Sequence, residues 1–177
     1  MCVHRIGITG HRHLSIEIIS SLTAEIQTFF REESARYGAE NISVLSSLAE
    51  GADTLCAKLA MDAGFRLVVP LPMDASEYRK DFLQAAEAEF DHMFSQADEV
   101  FVAPPEEVVS PNAPRGFYYR QASIYVVKHC DIMLTVWDGV ECNTTDGAGT
   151  WETIKLARAF EKPVHCVSAS RMYCFET

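Results

Sequence analysis

Short apolar runs alternate along this chain with longer segments in which apolar residues recur at helical spacing. Residues 3–9, 42–46, 67–71, 99–103, 132–137 and 164–167 are the short runs. They carry no regular polar alternation, the pattern of strands covered on both faces. Pro70 and Pro72 close the third of them. Between the runs lie segments with one apolar face. Residues 16–37 place Ile18, Ile19, Leu22, Ile26, Phe29 and Phe30 at such positions, and residues 53–63 place Leu55, Leu59 and Ala60 on one face. Residues 76–95, 116–129 and 150–160 complete the set of expected helices. A helix between nearly every pair of strands predicts an α/β fold: a Rossmann-like open, mainly parallel sheet of about six strands with helices on both faces.

The length of 177 residues fits a single domain, residues 1–177. A domain of this size buries roughly 70% of its unfolded surface and needs no covalent staples. Of the six cysteines, no pair has C-x-x-C spacing, and most sit in apolar runs, so they read as reduced, buried thiols. No apolar run approaches the roughly 18 residues of a membrane span. The expectation is a cytoplasmic protein without membrane contact. The net charge of −10 argues against nucleic acid as a partner held by bulk charge, since a phosphate backbone rewards clustered Lys and Arg. A local site of backbone amides and one or two arginines can still hold a small phosphorylated ligand. The histidines show no metal-ligand spacing, so neither a metal nor a bound cofactor is expected.

In doubly wound sheets ligands sit outside the carboxyl ends of the strands, and four such loops carry unusual residues. The first is Gly7-Ile8-Thr9-Gly10-His11-Arg12, in which Gly10 allows close approach while Thr9, His11 and Arg12 offer donors. It lacks the third glycine of the dinucleotide fingerprint, and Ser46-Ser47 stand where an acidic residue would close the second strand. The second loop, Ser46 to Asp53 with Gly51, precedes a helix whose first amides can face an anion. Asp53 reads first as a plain helix cap, with ligand contact as the other role. The third brings Arg79 and Lys80, the latter as part of a solvated face. The fourth runs from Asp138-Gly139 to Gly147-Ala148-Gly149-Thr150, where a glycine-rich turn opens a helix. Thr150 fits a cap there, and Glu152 either answers the helix dipole or acts catalytically. Asp131 and Tyr119 are placed near this region, Tyr119 as a core aromatic or a stacking partner for a base. The irregular segment 104–115, with its four prolines, is a lid or a solvated connection.

The run from Leu45 to Asp53, with Ala57, Ala60, Gly64 and residues 68–72, resembles the central motif of the SLOG superfamily, which joins the Smf/DprA DNA-processing proteins to the LOG (lysine-decarboxylase-like) phosphoribohydrolases. Asp138-Gly139 and residues 147–150 resemble its second glycine motif, and the opening Gly7 to Arg12 is similar to small stand-alone members. The resemblance spans about residues 3–167. It implies a Rossmann-like sheet, a nucleotide or ADP-ribose-like ligand, and a homo-dimer. It also implies an option of N-glycosidic hydrolysis of nucleoside 5′-monophosphates, which LOG enzymes perform with an Arg and the Glu of P-G-G-x-G-T-x-x-E. This chain departs from that motif: Asp146 replaces a glycine, and Thr153 occupies the position of the Glu. Glu152 stands one residue earlier, roughly 100° away around a helix.

Three functions follow as expectations. The first is a binding or sensor module for a small-molecule nucleotide-like ligand, using Thr9, Gly10, His11, Arg12, Ser46, Ser47, Gly51, Asp53, Arg79, Asp138, Gly139, Gly147, Gly149 and Thr150. The second is a hydrolase of N-glycosyl bonds with Glu152 or Asp138 as the catalytic carboxylate. The third is a domain whose loops bind only protein.

Overall fold

The computed structural model describes residues 3–110, 112–143 and 148–170. Six strands, β1 (His4–Gly10), β2 (Ile42–Leu45), β3 (Arg66–Leu71), β4 (Glu99–Val102), β5 (Ile132–Trp137) and β6 (Val164–Ser168), form one sheet in the order β4-β3-β2-β1-β5-β6. All neighbouring pairs run parallel, with Ile6 opposite Val44 on one side and Ile132 on the other. The helices are α1 (Ile16–Tyr37), α2 (Ala52–Asp62), α3 (Ala75–Tyr78), α4 (Gln84–Gln96), α5 (Arg115–His129) and α6 (Thr150–Ala159). The Rossmann-like α/β class expected from the apolar pattern is the fold observed.

Alternate residues of each strand feed two core layers. Ile6, Ile8, Val44, Leu134 and Val136 meet α1 and α2 on one face, through Leu22, Ile26, Phe30 and Cys56. Leu45 and Met133 meet Val126, Val127 and Ala157 of α5 and α6 on the other. A third cluster, with Tyr78 and Phe90 at its centre, packs α3 and α4 against β3. Each fully buried Leu, Ile or Phe contributes about 1.5–3 kcal/mol by leaving water. Helix α1 stops at Gly38, whose φ of 80° lets its amide donate to the Ser34 carbonyl. Coverage on both faces holds for the central strands and fails at the rims: Val102 of β4 and His165 and Cys166 of β6 are exposed. An edge strand lacks a neighbour to support helices over its outer side.

The structure corrects several local expectations. Residues 76–95 are not one helix. The chain turns through a 3₁₀ segment, Arg79–Asp81, and Phe82 and Leu83 are extended before α4 begins. That step lets Phe82 stack on Phe90 while Tyr78 meets both rings edge-on. A continuous helix would carry Phe82 away from this cluster. Asp53 and Thr150 are not caps: Gly51 and Gly149 hold those positions, and both polar residues lie within the first turn. Of the described cysteines, Cys56 and Cys130 are buried thiols, but Cys142 and Cys166 are exposed. Asp131 stands at the opposite end of the sheet from the glycine-rich loops, accepting the Arg5 amide at 2.8 Å. The described part of the 104–115 segment is tied to α5, by the Glu106 amide on Gln121 and by Glu107 and Glu106 on Arg120 and Lys128. No helix among the described residues is long and apolar enough to cross a membrane.

Candidate functional site

The strand order reverses between β1 and β5, so the loops leaving these two strands part and open a crevice. A cavity of about 540 Å³ lies there, within the range of small-molecule sites. Helix α5, returning from the outer edge at β4 to the centre at β5, forms one wall through Tyr119, Ala122, Ser123 and Val126. The strand-end loops form the rest.

Two glycines allow these loops to meet. A Cβ on Gly10 would stand 2.4 Å from the Ala52 Cβ and 2.8 Å from the Val136 carbonyl oxygen. Gly51 has φ of 88°, and a Cβ there would stand 2.1 Å from the Arg12 carbonyl oxygen. The contact is sealed by hydrogen bonds: the Ala52 amide donates to the His11 carbonyl at 3.0 Å, and the His11 amide donates to the Val136 carbonyl at 3.1 Å. One amide of the second loop's helix start, that of Ala52, is therefore spent on the first loop. Ser46 is buried; its hydroxyl reaches the Asp53 carbonyl at 3.4 Å and accepts the Leu48 amide.

Thr9, Gly10, His11, Arg12, Ser47, Asp53, Gly149 and Thr150 all line the cavity. Ser47 donates its hydroxyl to the Pro70 carbonyl at 2.8 Å. Arg12 is exposed, its guanidinium 5.4 Å from the centre of the Tyr119 ring, and Tyr119 in turn donates its hydroxyl to Asp81. The stack holds the cation at the mouth, and no carboxylate among the described residues pairs with it within 4.0 Å. Asp53 is 8% exposed. Burial pushes its carboxyl up from 3.8 to about 7, against the pull of the Ala49 amide, the Arg12 charge and the Ser46 hydroxyl. Across the cavity, α6 begins at Thr150. Its first amides have no partner within the helix and carry the positive end of the helix dipole. Thr153 also lines the cavity but donates its hydroxyl to the Gly149 carbonyl at 3.0 Å.

Other candidate residues lie elsewhere. Asp138 borders a smaller depression with His11, Arg12 and His13, its Oδ1 3.1 Å from the His11 ring. Partial burial raises its pKa, but the Val140 amide and the His11 ring outweigh that and hold it below the ordinary value. Gly139 is exposed, with φ of 85°. Glu152 faces a separate depression with Arg120 and Lys155. Arg79 binds Asp91 at 2.7 Å and lies over Phe90 and Phe94, because the turn after Tyr78 aims it at α4. Lys80 pairs with Glu77. Gly147 lies outside the described residues. Sequence reasoning missed Trp137 and Trp151, which line the cavity with parallel indoles. The available signal was their position, one at a strand end and one just after Thr150.

No protein-family model matches the chain, and no curated protein does. Solved structures share its fold. The X-ray structure of DNA processing protein A from Streptococcus pneumoniae matches over 97% of this chain and 52% of its own, with a TM-score of 0.64 and 16% identity. DNA processing protein A from Helicobacter pylori, whose structure describes a single-stranded DNA binding mode, matches over 97% and 68%, with a TM-score of 0.59 and 11% identity. The X-ray structure of the structural-genomics target TM1055 matches over 92% and 72%, with a TM-score of 0.52 and 13% identity. The chain spans about half the length of the Streptococcus pneumoniae protein. At these identities the likeness is one of fold: the chain shares the parallel α/β fold of these solved structures.

Proposed function

We propose that this chain binds a small nucleotide-like phosphorylated ligand in the cavity between β1 and β5. One observation carries the reading: Arg12, exposed and with no carboxylate among the described residues within 4.0 Å of its guanidinium, and the amino end of α6 line the same 540 Å³ cavity at the switch point of the sheet. Arg12 supplies a planar donor for phosphate, and the amides at Thr150 supply a fixed anion cradle. Thr9 and Ser47 add hydroxyls for ribose or phosphate oxygens. Isothermal titration with AMP, ADP-ribose and cyclic nucleotides tests it. At least one is expected to bind, and Arg12→Ala is expected to weaken that binding about tenfold, the value of one charge-assisted contact. Silence across the panel, or an Arg12→Ala protein that binds as well as the parent, overturns the proposal.

A second reading, hydrolysis of the N-glycosidic bond of a nucleoside monophosphate, is favoured by one feature. Asp53 lines the cavity with a carboxyl pKa of about 7, where a group can both hold and release a proton. Glu152 and Asp138 line other depressions. In this reading Asp53, rather than either of them, takes a proton from water as its oxygen bonds the ribose carbon and the base departs. Chromatographic detection of free base, present with the parent and lost in Asp53→Asn, is the expected result. No free base from the parent ends it.

A further inference from the structure

Trp137 ends β5 and Trp151 lies in the first turn of α6, and their indoles stack with planes 8° apart and centroids separated by 5.4 Å. Both rings line the main cavity. Each is held. The Trp137 indole N–H donates to the Val140 carbonyl at 3.1 Å. Lys155 and Arg158, one and two turns further along α6, lie 5.7 Å and 5.4 Å from the Trp151 ring centre. A rigid aromatic wall of this kind loses little conformational freedom when another ring packs on it. Trp151 directly follows Thr150, so the wall adjoins the amides that would face an anion.

Resting on the phosphate reading of this cavity, we propose that Trp137 and Trp151 form a stacking platform for a planar heterocycle, so that the ligand is a base-bearing nucleotide rather than a sugar phosphate. Stacking accepts any base because every base has a π-face. Selection is therefore for the presence of a ring joined to phosphate, with little preference among rings.

The chain contains two tryptophans, and both are in the platform. Intrinsic fluorescence thus reports the site without background from other indoles. The experiment titrates the whole chain with AMP and, separately, with ribose 5-phosphate. AMP is expected to shift the fluorescence and to bind about tenfold tighter, as one stacked base contributes. The paired variant Trp137→Leu/Trp151→Leu, followed by calorimetry, is expected to bring AMP down to the affinity of ribose 5-phosphate while leaving the sugar phosphate unchanged. The paired variant Trp137→Phe/Trp151→Phe is expected to recover most of the difference, since it restores aromatic faces. Retained ribose 5-phosphate binding shows that each variant is folded at the site. Equal affinity for AMP and ribose 5-phosphate in the parent overturns the platform and leaves the phosphate site standing. So does a Leu pair that keeps its preference for AMP. Failure of both probes to bind the parent overturns the platform together with the reading on which it rests.

Discussion

Asp53 concentrates the tension of the site at the level of a single residue. It lies in the first turn of α2, where a carboxylate suits the dipole, yet burial raises its carboxyl to about 7. The sign of the stability effect follows from linkage. In the unfolded chain the group titrates near 3.8, so between about pH 4 and 7 the folded protein holds more protons than the unfolded one. Stability from this group is therefore greatest below the unfolded value and falls as pH rises toward 7. The variant Asp53→Asn lacks the effect. Its unfolding free energy relative to the parent is expected to rise by on the order of 2–3 kcal/mol between pH 5 and pH 8, with urea denaturation as the measurement. Because the comparison is between two pH values, any constant cost of the amide cancels. Parallel pH profiles for the two proteins would show that Asp53 titrates as an exposed carboxylate does. The sequence made Asp53 visible as a residue near a helix start. Its burial was not legible, because it depends on tertiary packing around the start of α2.

At the scale of elements, the glycines separate what the chain displays from what only packing reveals. Gly10 and Gly51 are both legible in the sequence as loop glycines. The structure adds a packing role that the sequence does not display: each sits where a Cβ would meet a neighbouring loop, strand or helix, while Gly10 also lines the cavity. Gly51 is the more demanding, since its φ of 88° and ψ of −114° are closed to other residues. Gly51→Ala is expected to cost on the order of 3 kcal/mol and to move the Arg12 backbone, combining backbone strain with overpacking. Thermal unfolding reads the first effect and weakened AMP binding the second. A variant of parental stability would mean that the two loops separate easily. The break between α3 and α4 was illegible for a different reason. No Gly or Pro marks it, and local propensity favours helix across residues 76–95. Three aromatic rings from one stretch of chain overrule that propensity through tertiary contact.

Over the whole molecule, alternating strands and helices were plain in the apolar pattern, while the strand order was not. Nothing local states that β5 returns to pair with β1 rather than continuing past β4. That return creates the switch point and brings Thr9 to Arg12 opposite Gly149 and Thr150. It also bears on the scale of the proposed ligand. Among the described residues the cavity offers one exposed arginine and one helix terminus, on a chain of net charge −10, whereas a groove for single-stranded nucleic acid tracks many phosphates with many cations. The shared fold with DNA processing protein A makes the contrast worth measuring. An oligonucleotide extending beyond the cavity approaches a chain of net charge −10, which opposes each added phosphate unless a local cationic track offsets it. Fluorescence anisotropy at low salt is expected to show an oligothymidylate of about ten nucleotides binding no tighter than a labelled mononucleotide, with a salt dependence worth only one or two phosphates. Tight oligonucleotide binding with a steep salt slope would place the working surface outside this cavity, on some cationic track formed by an assembly of chains.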